Sequence, residues 1–202
     1  WPYAKRDKRV QKLLRLFGLK DTSGTKAHLI SGGEQQRVAI ARAIANQPNY
    51  LLLDEPFGHL DAHLRQKLST HLMDLRDEED TGIILVSHEG QDVLGLCDHI
   101  CILQNGKLTK KYRPEEVYYH YKAPERARLF GPLNTLKNGE ELLHFRPDEY
   151  KITQSGIEVR FEKAQFVGGL YHNFVRSKNM ERILLYAFEK LTDIQAIEIH
   201  KK

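Results

Sequence analysis

Residues 30–61 read ISGGEQQRVAIARAIANQPNYLLLDEPFGHLD, and the order of features in that run restricts the fold more than anything else in the chain. A Ser31-Gly32-Gly33 turn opens a helical stretch, expected from about Glu34 to Asn46, that is rich in Ala, Ile, Val, Arg and Gln. Pro48 and Asn49 end it, and Tyr50 to Leu53 form a short apolar strand that delivers Asp54 and Glu55 to its C-terminal end. Pro56 stops the strand, and Gly58 to Asp61 turn the chain into a helix on which Leu64, Leu68, Leu72 and Leu75 line one face.

Two glycines let backbone approach a ligand closely, and the first turn of a helix aims N–H groups and the positive dipole end at it, which suits a phosphate. Taken alone, such a turn is also how ordinary helices begin, and Asp-Glu is also how ordinary strands end. In open α/β sheets, however, ligands gather at the carboxyl ends of strands. Two adjacent carboxylates there can divide the labour of a Mg·ATP site, one serving the metal's coordination shell and the other activating water.

The flanks extend the α/β pattern. Upstream, Val10, Leu13, Leu14 and Phe17 recur at helical spacing on a stretch carrying Lys5, Arg6, Lys8, Arg9, Lys12 and Arg15, which reads as an amphipathic helix with a solvated basic face. Downstream, Ile83 to Val86 form a second apolar strand ending at Ser87-His88, where an imidazole can donate one hydrogen bond and accept another. Glu89 to Cys97 are expected to be helical, and Asn105-Gly106 sits between two short strands as a two-residue hairpin turn. Pro114 opens a helix through Tyr121, and the tyrosines at 112, 118, 119 and 121 read as packing residues. Beyond Gly131-Pro132 the chain changes character. Runs at 142–145, 150–153, 157–161, 164–167, 171–175, 183–188 and 196–200 alternate with turn residues, which suggests a small all-β barrel.

With 31 basic against 27 acidic residues the net charge is only +4, and the basic residues are mixed with acidic ones, so a nucleic-acid partner is not implied. No stretch approaches the roughly 18 consecutive apolar residues of a membrane span, and no signal-peptide core lies near Trp1, so a cytosolic location is expected. Cys97 and Cys101 have no further Cys or His pair at metal-ligand spacing and read as buried reduced thiols.

Jointly, these features resemble the ATP-binding subunits of ABC importers. Ile30 to Glu34 with Gln35-Gln36-Arg37 looks like the ABC signature, with Ile for the usual Leu and Glu for the usual final Gln; Tyr50 to Glu55 looks like Walker B and the catalytic Glu; Gly58-His59-Leu60-Asp61 is similar to the D-loop; Ser87-His88 looks like the H-loop. Asp98, Ile100, Gly106-Lys107 and Pro114 to Tyr118, then Arg146-Pro147-Asp148 and the strand at 166–170, resemble importers of the maltose, polyamine and iron(III) type and their C-terminal regulatory barrel, the TOBE domain.

The resemblance implies roles. Asp54 would help hold Mg²⁺ through water, Glu55 would polarise the attacking water, and His88 would contact the γ-phosphate of ATP. Ser31, Gly32, Gly33 and Glu34 would act in trans on nucleotide held by a second copy, with Asp61 communicating between the two sites. The expected fold is α/β: part of a P-loop NTPase core over residues 1–130, then an OB-like barrel over 131–202. The implied partners are a second ATPase copy and transmembrane permease subunits, which would place the protein on the inner face of the cell membrane. No G-x-x-x-x-G-K-[S/T] occurs, nor a Q-loop, so the chain is expected to be a piece of a longer ATPase and inactive by itself. The alternative is a non-catalytic ABC-derived dimerisation or regulatory module.

Overall fold

The computed structural model describes residues 2–58, 60–121 and 123–202, with only the backbone of Glu79; His59 of the Gly58–Asp61 turn therefore lies outside the described residues. The chain divides into two compact units, Trp1–Cys97 and Asp98–Lys202.

In the first unit, α1 (Tyr3–Leu16) buries Leu13, with Phe17 just beyond, while Val10 stays exposed. Its basic face is not all solvated, because Arg9 donates to the Ile44 carbonyl at 3.0 Å and so ties α1 to the next helix. That helix, α2 (Gly32–Ala45), starts two residues earlier than its apolar pattern suggests. The cause is a capping box: the Glu34 N–H donates to Ser31 Oγ at 3.3 Å and the Ser31 N–H to Glu34 Oε2 at 2.9 Å, which draws both glycines into the first turn.

Strand β1 (Tyr50–Asp54) then pairs in parallel with β2 (Gly82–Val86), in register from Tyr50 with Gly82 to Asp54 with Val86. The crossover between them is α3 (Ala62–Glu79), capped by Asp61, whose Oδ1 accepts from the N–H groups of His63 and Leu64, both at 2.9 Å. Leu68, Leu72 and Leu75 pack with Leu13, Phe17, Ile40, Ile44, Leu51 and Leu53 in one core on one side of the strands. The other side is bare: Tyr50, Leu52, Ile84 and Val86 are 76%, 71%, 60% and 55% exposed, although strands of a parallel sheet are ordinarily covered on both faces. A short α4 (Gly90–Leu94) stops at Gly95 rather than reaching Cys97. Cys97 is half-buried and Cys101 exposed, so the expectation of two core thiols is corrected for Cys101.

The second unit opens with the hairpin β3 (Leu103–Gln104) and β4 (Lys107–Leu108), where Asn105 and Gly106 take φ of 47° and 74° as a type I′ turn requires. Helices α5 (Pro114–His120) and α6 (Pro124–Ala127) lead to the hairpin β5 (Asn134–Asn138) and β6 (Glu141–Phe145). Five further strands, β7 (Tyr150–Thr153), β8 (Ile157–Phe166), β9 (Tyr171–Ser177), β10 (Arg182–Ala187) and β11 (Ala196–Ile199), make one antiparallel sheet in the order β10-β9-β8-β11-β7. The runs expected as two strands at 157–161 and 164–167 are one strand with a bulge between Phe161 and Lys163. The Asn134 amide joins the hairpin to β10 as a short strand would, donating to the Leu184 carbonyl at 2.8 Å and accepting from its N–H at 2.9 Å.

By their contacts, residues 98–130 group with the strands of this unit. Arg146 ties residues 118–132 to the strand end that carries it. It is fully buried, and its guanidinium donates to the carbonyls of Tyr118, Ala127, Gly131 and Pro132 at 2.6, 2.8, 2.9 and 3.0 Å. Tyr118 lies under it at 4.2 Å and edge-on to Tyr119, whose hydroxyl donates to Asp148 at 2.7 Å. These tyrosines pack, as their clustering in the sequence suggests.

Candidate functional site

The C-terminal ends of β1 and β2 bring Asp54, Glu55, Ser87 and His88 together. Glu55 continues the ladder, its N–H donating to the Val86 carbonyl at 2.9 Å, but its φ of 47° is left-handed, a conformation that a non-glycine residue adopts only when its surroundings impose it. The carbonyl is held from two sides, by Gln36 Nε2 at 2.9 Å and by the Gly58 N–H at 3.3 Å. The side chain turns back across the strand pair, where Oε1 accepts the His88 N–H at 2.8 Å and lies 2.8 Å from His88 Nδ1. Asp54 is exposed beside this pair, and the Ser87 hydroxyl accepts the Glu89 N–H at 3.1 Å.

The His88 ring is 72% exposed, and its pKa is raised, first by the hydrogen bond to Glu55, then by the Glu55 charge, with Glu89 and Asp92 adding to it. A proton bound more tightly in the folded chain stabilises it fully at low pH. That contribution is lost as pH climbs from the ordinary 6.5 through the raised value. An NMR titration of the His88 ring is expected to show a midpoint above the ordinary imidazole range, and Glu55→Gln to return it there. An unshifted wild-type midpoint would contradict the contact.

The Ser31-Gly32-Gly33 turn is built differently. Hydrogen bonds from Ser31 hold the Glu34 carboxyl below its usual range, so this carboxylate is engaged in the capping box. An α-helix leaves the first-turn N–H groups of residues such as Gly32 and Gly33 without intrahelical partners. Asp61 is likewise held low, first by the Leu64 N–H that it caps. The structure thus gathers Asp54, Glu55 and His88 at one place, sets Ser31–Glu34 at the start of α2, and uses Asp61 to begin α3. Gln36 is the residue that sequence reasoning passed over. Its polarity in the Gln35-Gln36-Arg37 run was visible, but which of these side chains reaches the strand end was not.

Among the described residues no group of three or more His, Cys, Asp or Glu could hold a metal ion. A single exposed Asp54 suits Mg²⁺, which keeps several waters and takes other ligands from substrate phosphates rather than from a protein cage.

Residues 4–58 match the family model described as ABC transporter. This stretch is thus similar to the ABC transporter family. The chain is 35% identical to the sulfate/thiosulfate import ATP-binding protein CysA of Caulobacter vibrioides, over 81% of this chain and 54% of that protein. It is 34% identical to the spermidine/putrescine import ATP-binding protein PotA of Bacillus thuringiensis subsp. konkukian, over 91% and 58%. The chain therefore spans little more than half the length of these relatives. Among solved structures it resembles the ATP-binding cassette MJ0796 in a dimeric post-hydrolysis state bound to ADP and Pi, at 30% identity and a TM-score of 0.51, covering 56% of this chain and 49% of that one. A second dimeric MJ0796 structure gives 31% and 0.51. The fold is thus α/β, a portion of the ABC ATPase core followed by a small antiparallel β unit, and no described helix is long and apolar enough to cross a membrane.

Proposed function

We propose that this chain is the C-terminal portion of the ATP-binding subunit of an ABC importer, in which ATP hydrolysis drives solute uptake. The observation that carries the reading is the 2.8 Å contact between Glu55 and His88 across the ends of two parallel strands. It sets a carboxylate and an imidazole side by side where α/β sheets receive their ligands.

In this reading Glu55 takes hydrogen bonds from the attacking water and polarises it, while His88, held by Glu55, donates to the γ-phosphate. Asp54 would hold Mg²⁺ through water, and the ion, when bound, neutralises phosphate charge. Phosphoryl transfer needs positioning and charge neutralisation more than covalent help, which suits a site made of such groups. The Gly32 and Gly33 N–H groups, with Ser31 and Glu34 fixing the turn, would close over ATP held by a second copy, and Asp61 would relay between the two sites. Residues 131–202 would form a TOBE-like regulatory domain after an ATPase portion reaching to 130. The whole would sit on the cytoplasmic face of the membrane through permease subunits.

Because no G-x-x-x-x-G-K-[S/T] loop is in the sequence, purified residues 1–202 are expected to release no phosphate from Mg·ATP above background. Steady turnover abolished by Glu55→Gln would overturn that part of the reading.

A further inference from the structure

Glu55 is the only site residue in a left-handed backbone conformation, and a contact from another element secures it. The strand on its N-terminal side fixes only its N–H, through Val86. What fixes the orientation of the following peptide is the carbonyl, and of its two donors the Gly58 N–H is the longer, at 3.3 Å, and belongs to the same turn. The shorter, at 2.9 Å, is the side-chain amide of Gln36, nineteen residues away in sequence on the second turn of α2. The direction in which the Glu55 side chain leaves the backbone follows from that peptide orientation. The carboxylate then reaches His88.

We propose that Gln36 is a positioning residue for Glu55: its amide, by holding the Glu55 carbonyl, fixes the left-handed peptide that aims the carboxylate at His88. The catalytic consequence rests on the role proposed for Glu55; the positioning itself does not.

The His88 titration reads the positioning without any hydrolysis. Glu55, Glu89 and Asp92 face the ring, and Asp92 is itself paired with Arg65 at 3.0 Å, so Glu55 is the group whose displacement moves the midpoint most. In Gln36→Met, which keeps length but lacks the donor, the midpoint is expected to fall most of the way to that of Glu55→Gln. In a Glu55→Gln background the same Gln36→Met change is expected to move it no further. If Gln36→Met does not fold, Gln36→Glu takes its place, and the two backgrounds cancel the direct effect of its charge. An unchanged midpoint in the folded variant, or an equal shift in both backgrounds, would overturn the proposal. In a full-length ATPase subunit of the kind proposed, Gln36→Met is expected to lower kcat on the order of a hundredfold with KM unchanged, as a small misplacement of a reacting group does. Hydrolysis that survives Glu55→Gln would instead sink the role of Glu55 while leaving its coupling to Gln36 intact.

Discussion

Arg146→Leu is expected to lower the unfolding free energy of the second unit by about 3–5 kcal/mol, because several buried carbonyls lose their donor at once. Leucine fills part of the volume but leaves the carbonyls of Tyr118, Ala127, Gly131 and Pro132 without their donors. Each buried acceptor left so costs about 1–3 kcal/mol before water or rearrangement recovers some of it. Lysine is no substitute, since four carbonyls arranged around a planar fork cannot all be met by one ammonium. Burial pushes the Arg146 pKa down, and the same burial pushes the Tyr118 hydroxyl up to about 12. The guanidinium is thus stabilised by carbonyl dipoles and by the tyrosine face 4.2 Å away. A whole domain is stable by only about 5–15 kcal/mol, so urea denaturation followed by circular dichroism should show the loss plainly. A variant that unfolds within about 1 kcal/mol of wild type would mean that the segment 118–132 finds other donors.

If the chain is part of an importer ATPase as proposed, Glu55→Gln in the full-length subunit is expected to reduce kcat for ATP hydrolysis by about 10²–10⁴, the usual contribution of a positioned general base. The substitution preserves shape and an acceptor oxygen, so nucleotide binding is expected to survive and KM to change little. What is lost is the charge that orders water and holds the His88 proton. A phosphate-release assay with separate measurement of nucleotide affinity distinguishes these. Turnover within about twofold of wild type would remove Glu55 from the reaction and leave its contact with His88 as a structural one.

The elements read most easily from the sequence are those whose information is local. The periodic leucines of α3, the apolar run of β1 and the Asn105-Gly106 turn each specify their conformation within a few residues. The apolar pattern marks the start of α2 late because a capping box is reciprocal, and its effect shows only when Ser31 and Glu34 are taken as a pair. Strand β5, Asn-Thr-Leu-Lys-Asn, carries too little alternation to announce itself, and is made by its hairpin partner and by the Asn134 bridge to Leu184. The bulge that joins two runs into β8 is likewise imposed from across the sheet. For the site, residue types and spacing named Asp54, Glu55 and His88, but the left-handed turn at Glu55 and the reach of Gln36 are tertiary. Arg146 was visible within Arg146-Pro147-Asp148, yet nothing in one dimension says that a guanidinium is to be buried whole.

The bare side of the β1–β2 pair bears on how the chain behaves in bulk. Leu52 and Ile84 are direct register partners, flanked by Tyr50 and Val86, so they form one continuous strip rather than scattered side chains. Such a strip is adhesive, and sulfate or phosphate salts, which strengthen burial, make it more so. The two strands that aim Glu55 and His88 at each other therefore also carry an apolar strip that is expected to lower the chain's solubility as such salts are added.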